Sequence, residues 1–128
     1  MSYKRDEELI KLRPEIETEN KGTQSYFEAF QNNTLRQICK FQNELVLDFV
    51  NEYIKAKNKN FDKHALNDKL NYINSLFAKD TSFKNKLRGL IIGHFTIEEF
   101  QLNAKNVSEI DKRIVQLLKT RFLSQVEY

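Results

Sequence analysis

Apolar residues recur at helical spacing between residues 24 and 56. They form one stripe with a second row beside it, as expected for a helix that packs on a core along one face. The stripe consists of Phe27, Phe30, Ile38, Phe41, Leu45 and Phe49, and the second row consists of Leu35, Cys39, Val46, Val50 and Tyr53. Since no glycine or proline interrupts these residues, the pattern predicts one long, unbroken helix.

Two further amphipathic patterns follow a polar connector. The first predicts a helix whose inward face carries Leu66, Leu70, Ile73 and Phe77. The second begins at Asp80 or Ser82, both of which are good N-cap residues, and ends near Gly93. It presents Phe83, Leu87, Leu90 and Ile91 inward.

The clearest start of a helix lies at residues 95–100. Thr96 and Glu99 have the spacing of a capping box, and Phe95 and Phe100 have that of a hydrophobic staple. A last helix begins at Asn106 or Ser108 and buries Ile110, Ile114, Leu117, Leu118 and Phe122. No segment alternates convincingly at the period of a strand. The sequence therefore predicts an all-α bundle of four to five helices with one long central helix.

The length of 128 residues fits a single domain. Three glycines and one proline are too few for the many turns of a β-sandwich or barrel. We expect residues 1–23 to form a partly mobile N-terminal segment, with a short helix before Pro14. Residues 24–128 are expected to form the helical domain.

The chain carries no apolar run long enough to cross a membrane and no secretory signal pattern. Its single cysteine, Cys39, cannot form an internal disulfide, which is typical of a reducing compartment. We therefore expect a cytoplasmic protein. Because Cys39 lies within a helical pattern, we expect it to be a small packed residue rather than a reactive thiol.

The long predicted helix motivates a homodimer. About 30 helical residues span ~45 Å, whereas a 128-residue globule has a diameter of only ~36 Å. One end of the helix would overhang or meet another chain. Phe27 and Phe30 lie towards its N-terminal end. Exposed aromatic rings favour association, so these two residues are the candidate interface.

The net charge of +3 hides an uneven distribution. Residues 55–94 carry nine basic and three acidic side chains, and this excess can attract an anionic partner. The candidate anion-contacting residues are Lys55, Lys57, Lys59 and Lys63. No nucleic-acid-binding motif accompanies them. Weak, non-specific nucleic-acid binding is therefore only an alternative. The simpler interpretation is that these lysines are solvent-exposed residues that keep the protein soluble.

Candidate chemistry is sparse. His94 and Glu98 stand four residues apart, and His64 is the only other histidine. A His/His/Glu metal site is one interpretation, but the capping pattern places His94 before the helix that carries Glu98. The pair therefore does not share a helical face. No phosphate-binding loop or nucleophile motif is present. We predict no catalytic, cofactor-binding or metal-binding residue and no cofactor.

Three segments carry a resemblance to a known family. They are LRQICKFQNEL at 35–45, GLIIGHFTIEEF at 89–100 and NVSEIDKRI at 106–114. The chain resembles a family of short bacterial proteins, mainly from Bacteroidetes, of about this length. Many members carry the name glyoxalase, which implies activity on the methylglyoxal–glutathione adduct. The resemblance assigns no functional residue.

The enzymatic alternative conflicts with the predicted fold. Glyoxalase I enzymes are built from βαβββ modules with His and Glu metal ligands on strands, and glyoxalase II enzymes need a His-x-His-x-Asp-His cluster. This sequence predicts no strands and has two isolated histidines. We therefore expect a non-catalytic module for protein–protein association, with an unknown partner and a homodimer as its assembled form. Glyoxalase activity and weak nucleic-acid binding are the alternatives.

Overall fold

The computed structural model describes residues 3–17 and 24–126, and every regular element within them is helical. The predicted all-α class is confirmed. The α-helices are α1 (Lys4–Leu12), α2 (Tyr26–Ala29), α3 (Leu35–Phe41), α4 (Asn43–Lys57), α5 (Leu66–Lys79), α6 (Thr81–Ile92), α7 (Ile97–Leu102) and α8 (Val107–Val126). A π-helical turn occupies Phe30–Thr34, and 3₁₀ turns occupy Phe61–Lys63 and Ala104–Asn106.

Helix α8 lies at the centre of the bundle and packs against α3, α4, α5 and α6. Its buried residues recur every four positions, as expected for a stripe that faces the core. They are Ile110, Ile114, Leu118 and Phe122. All of them belong to one core cluster with residues from α3 to α6. The long central helix of the bundle is therefore α8.

The ring of Phe83 fills the corner of the core between α4, α5 and α6. This ring is fully buried and contacts the rings of Phe49, Tyr53 and Phe77, with centroids 4.9 to 5.9 Å away. Burying one phenylalanine side chain is worth about 2 kcal/mol before packing is counted. The aromatic residues of the long apolar pattern thus stabilise the junction of three helices.

The unbroken helix predicted between residues 24 and 56 is wrong. The structure divides this stretch into α2, the π-helical turn, α3 and α4, with a break at Gln42. At the break, the backbone of Gln42 leaves helical geometry (φ −86°, ψ 2°), and its side-chain Nε2 donates to the carbonyl oxygen of Leu90 in α6 at 2.9 Å. A glutamine that caps a neighbouring helix thus replaces the glycine or proline expected at a break.

The break changes which side of this stretch is buried. Within α4 the core residues are Val46, Val50 and Ile54, whereas Leu45 is half exposed. Phe41, another member of the predicted stripe, is 42% exposed. Because α2, α3 and α4 all contribute to the same core, the expected overhang of a straight helix is not present among the described residues.

A carboxylate organises the junction of α5 and α6. The side chain of Asp80 caps α6 by accepting a hydrogen bond from the backbone N–H of Phe83. Its second oxygen accepts a hydrogen bond from the Tyr53 hydroxyl at 2.8 Å. Since Tyr53 lies on α4, one side chain fixes three helices, and the sequence-based assignment of Asp80 as an N-cap is confirmed.

The N-terminal segment packs on the turn between α6 and α7 through polar contacts. Helix α1 has no buried residue. Instead, the Arg5 guanidinium donates to the carbonyl oxygens of Gly93 and Phe95, and Asp6 accepts from the backbone N–H of Ile97. This helix is therefore held by its charged side chains.

The stretch after α1 runs along α3. Gln37 donates to the carbonyl oxygen of Pro14, Lys40 to that of Glu15, and Arg36 to that of Glu17. The remaining part of the connector that was expected to be mobile, residues 18–23, lies outside the described residues.

Candidate binding groove

The four lysines predicted to contact anions lie around the end of α4 and the connector to α5. All four are exposed. Lys55 lies 3.5 Å from the carboxylate of Glu52, and Lys57 lies over the ring of Tyr53. Lys59 and Lys63 follow in the connector and its 3₁₀ turn. None of these four lysines lines either of the two openings described below.

The predicted interface residues do not form an exposed pair. Phe30 is only 2% exposed and packs edge-on against Phe95, with centroids 5.2 Å apart. Phe27 is partly buried against the same core. The expectation that both rings would overhang is wrong, because Phe30 belongs to the core cluster and Phe27 packs against it. The homodimer itself stays a prediction.

The two histidines lie in different surroundings. His64 is exposed, whereas His94 is partly buried beside the ring of Phe41. Burial and then the positive charges of Arg13 and Arg5 lower the pKa of His94. Within the described ranges, no group of three His, Cys, Asp or Glu side chains is arranged to hold a metal ion.

Cys39 is fully buried in the core. Burial raises the pKa of its thiol to about 11, so the reactive thiolate is scarce at neutral pH. The prediction that Cys39 is a packed residue is confirmed.

The Thr96 capping box forms as predicted and has an additional partner. Glu99 accepts from the backbone N–H of Thr96, and the Thr96 hydroxyl accepts from the backbone N–H of Glu99. The guanidinium of Arg13 forms a bidentate salt bridge with the two carboxylate oxygens of Glu99. The same guanidinium also donates to the carbonyl oxygen of His94. The charges of Arg13 and Glu99 are therefore paired with each other, and these contacts hold the N-terminal segment on the bundle.

An open cavity lined by cationic side chains lies on the side of the bundle formed by α5, α6 and α8. Here a cavity of about 290 Å³ opens between the helices. Phe77, Ala78 and Val115 supply apolar surface, and the remaining lining residues are Lys84, Arg88, Lys112, Gln116 and Lys119. We call this cavity the basic groove. Four of its eight lining residues are cationic and none is acidic.

The cations of the basic groove have few partners. Lys84 donates to the carbonyl oxygen of Ala78, a neutral acceptor. Arg88 donates to the side-chain oxygen of Asn85, and its Nε lies 3.8 Å from Asp111, too far for a hydrogen bond. Neither Lys112 nor Lys119 has a hydrogen bond or ion pair with another described residue. The positive charge of the basic groove therefore remains largely uncompensated.

The spacing of these cations follows from the two helices. Lys84 and Arg88 stand one turn apart on α6, and Lys112 and Lys119 stand two turns apart on α8. Seven residues of α-helix rise about 10.5 Å. The basic groove thus offers an elongated arrangement of cations beside an apolar floor. Such an arrangement can bind carboxylates or phosphates spaced along an extended partner.

The anion-contacting residues predicted from the sequence, Lys55, Lys57, Lys59 and Lys63, do not line the basic groove. The charge excess of residues 55–94 includes Lys84 and Arg88, but Lys112 and Lys119 belong to a segment with balanced charge. Only the packing of α8 beside α6 brings the two pairs together. Local sequence patterns do not predict this contact between α6 and α8.

The described helices include none that is both long and apolar enough to span a bilayer. Comparison with protein-family models, with curated proteins and with solved structures gives no significant match to this chain.

Proposed function

We propose that this protein is a non-catalytic association module that binds an acidic, amphipathic helix of a partner protein in the basic groove. The observation that carries the proposal is the set of four cations around an apolar floor, with two lysines unpaired among the described residues. Helices commonly bind in grooves through anchors spaced by one and two turns. Acidic residues at i and i+7 match the separation of Lys112 and Lys119, and an apolar residue between them reaches Phe77 and Val115.

The size of the cavity also favours a partner segment. A volume of about 290 Å³ is at the lower limit for small-molecule sites, which enclose most of their ligand. An apolar side chain fills such a space, while its neighbouring carboxylates contact the cations at the rim. Charge complementarity of this kind speeds association and excludes partners of the wrong sign.

The test uses a labelled, helix-forming peptide with glutamates at i and i+7 and a leucine between them. Fluorescence anisotropy measures its binding to the wild type and to two matched charge reversals. Lys112→Glu with Lys119→Glu is expected to weaken binding by about tenfold or more, equivalent to ~1.4 kcal/mol. Lys55→Glu with Lys59→Glu changes the net charge equally and is expected to have little effect beyond a modest change in association rate.

Duplex DNA provides the comparison with the nucleic-acid alternative. If the basic groove is built for acidic helices, the DNA affinity is weak and falls steeply with salt. Tight DNA binding that is lost in the Lys55/Lys59 variant and retained in the Lys112/Lys119 variant would favour the four lysines predicted from the sequence. Equal loss of peptide binding in both variants would contradict a localised groove.

Self-association is a separate part of the proposal. A second copy of the chain is one partner that can cover exposed apolar side chains, and the homodimer predicted from the sequence is tested by sedimentation velocity. Because Phe30 belongs to the core, a changed mass in Phe30→Asp reports misfolding as readily as a lost interface. Phe27→Asp, at a partly buried position, is the more informative variant.

A further inference from the structure

A second opening lies at the N-terminal end of α8, between the end of α6, α7 and the first turn of α8. It is a narrow cleft of about 40 Å³ whose walls are mainly apolar. Ile92, Phe95 and Phe100 line it together with Val107 and Ile110. Phe100 is 56% exposed and Val107 is 50% exposed, so the cleft opens onto an apolar surface. We call it the α7–α8 cleft.

Two polar side chains also line the α7–α8 cleft, and each has an acceptor atom without a hydrogen-bond partner among the described residues. The side-chain oxygen Oδ1 of Asn103 is buried and unpaired, and Asn103 as a whole is only 3% exposed. The Oδ1 atom of Asp111 is likewise buried and unpaired. Leaving a buried acceptor without a hydrogen bond costs about 1–3 kcal/mol, and more for a charged group. Native proteins rarely keep two such atoms beside one opening without a use.

The orientation of the Asn103 amide is fixed by its other contact. Its Nδ2 donates to the carbonyl oxygen of Glu99 at 2.8 Å. Rotating the amide by half a turn would place its oxygen against that carbonyl and would lose this bond. Burial and then the charge of Glu99 raise the pKa of the nearby Tyr26 hydroxyl, and a hydrogen bond with the Asn103 side chain opposes this shift. The Oδ1 atom therefore remains an unsatisfied acceptor.

The charge of Asp111 is also incompletely matched. Its Oδ2 lies 3.8 Å from the Nε of Arg88, beyond hydrogen-bond distance, and that Nε is itself buried without a partner. Arg88 therefore compensates part of the negative charge from the side of the basic groove. The Oδ1 atom of Asp111, like that of Asn103, is sealed from solvent and has no hydrogen-bond partner among the described residues, so a donor from the α7–α8 cleft reaches it only when the cleft widens.

We propose that the α7–α8 cleft binds the side chain of a lysine from a partner protein. An unbranched alkyl stem fits a narrow apolar passage, and the terminal ammonium offers three donors to Asn103 and Asp111. The partner's backbone would then cover the exposed rings and methyl groups at the rim. A volume of about 40 Å³ is too small for a metabolite. A neutral apolar side chain would leave both acceptors unsatisfied.

This inference does not depend on the acidic helix proposed for the basic groove. The two openings have opposite chemistry, because cations line the basic groove and unpaired acceptors line the α7–α8 cleft. The two openings meet at Arg88, which lines the basic groove and lies 3.8 Å from Asp111. Because each proposal has its own peptide probe, loss of one peptide with retention of the other distinguishes their failures.

The test uses three short peptides that differ at one position, which carries lysine, norleucine or arginine between apolar residues. NMR titration follows the side-chain amide of Asn103 and the methyl groups of Ile92. The lysine peptide is expected to shift both sets of signals and to bind about tenfold more tightly than the norleucine peptide. Asp111→Asn is expected to remove that preference, whereas Asp48→Asn, which changes an exposed carboxylate on α4, should retain it.

A second variant guards against misfolding of Asp111→Asn. Phe100→Ala removes one wall of the α7–α8 cleft at a position that is more than half exposed. It is expected to weaken binding of the lysine peptide several-fold, while the amide signals of the rest of the protein keep their native positions. Equal binding of the lysine and norleucine peptides would overturn the proposal, as would unchanged binding in Asp111→Asn. Butylammonium alone binding as tightly as the peptide would overturn the assignment to a partner's side chain.

Discussion

Cationic side chains have opposite roles in the N-terminal region and in the basic groove. On the N-terminal side, Arg5 and Arg13 direct their guanidinium groups at backbone carbonyl oxygens and at Glu99. In the basic groove, Lys112 and Lys119 have no described partner, and Arg88 is 3.8 Å from its nearest carboxylate. Cations that are satisfied within the chain hold the fold together. Cations that are left unsatisfied beside an apolar floor are available to another molecule.

The largest expected effect is on stability at the N-terminal side. Removing the Arg13 side chain leaves Glu99 without its two-pronged partner in a site where both side chains are at most 15% exposed. Breaking such a pair costs about 2–4 kcal/mol, close to values for buried pairs. Urea unfolding of Arg13→Ala should therefore show a clearly lower midpoint.

Glu99→Gln is the matched control for that prediction. Glutamine retains the capping-box contact with Thr96 but loses the charge. If the pair with Arg13 matters, Glu99→Gln destabilises the protein and adding Arg13→Ala costs little more. Strictly additive effects would mean that the two side chains act independently.

The next effect is expected in binding rather than stability. Lys112→Glu with Lys119→Glu should weaken binding of the acidic helical peptide by about tenfold or more. The urea unfolding midpoint should change little. A large loss of stability in this variant would show that the lysines serve the fold. The comparison between the two regions would then fail.

A smaller effect is expected at Asp80, which is satisfied by local contacts. Asp80→Ala removes the N-cap of α6 and the acceptor for Tyr53 and should cost about 1–2 kcal/mol. The hydrogen bond from the backbone of Phe83, followed by that from Tyr53, lowers the pKa of Asp80 from its ordinary value of 3.8.

This lowered pKa predicts a direction for the pH dependence. Because the folded state favours the ionised carboxylate, Asp80 contributes stability that is present above its unfolded pKa and is lost as the pH falls through its folded pKa. Asp80→Asn retains a good N-cap but has no proton to gain. The stability difference between wild type and Asp80→Asn should therefore shrink as the pH drops below about 4. A difference that stays constant would contradict the role of the charge.

The smallest effect separates the two regions most simply. Lys112→Ala and Lys119→Ala remove side chains without described partners, and each should change the free energy of unfolding by less than about 0.5 kcal/mol. Equilibrium unfolding in urea, compared with Arg13→Ala, measures the contrast.

The sequence predicted the helices better than their connections. Periodicity and N-cap residues are local properties. They predict the helix with Leu66, Leu70, Ile73 and Phe77, the helix that begins at Asp80 or Ser82, and the helix that starts at Thr96, and the structure has a helix at each of these places. The break at Gln42 was missed because a glutamine is compatible with a helix, and its contact with Leu90 lies 48 residues away. That one error also placed Phe41 and Leu45 on the buried face.

The candidate sites show the same limit. The charge excess of residues 55–94 includes Lys84 and Arg88, but the anion-contacting residues predicted from it are Lys55, Lys57, Lys59 and Lys63, none of which lines the basic groove. Lys112 and Lys119 join the basic groove only through the packing of α8. The unpaired oxygens of Asn103 and Asp111 depend on side-chain orientation, which no pattern along the chain encodes.

The central claim is that charge left unpaired between α6 and α8 forms a binding site. Amide chemical-shift mapping with the acidic helical peptide tests it most directly. We predict that the largest shifts cluster around Lys84, Arg88, Lys112 and Lys119 and disappear when the two α8 lysines are reversed to glutamate. Shifts centred on residues 55–63, or spread evenly over all exposed lysines, would contradict it.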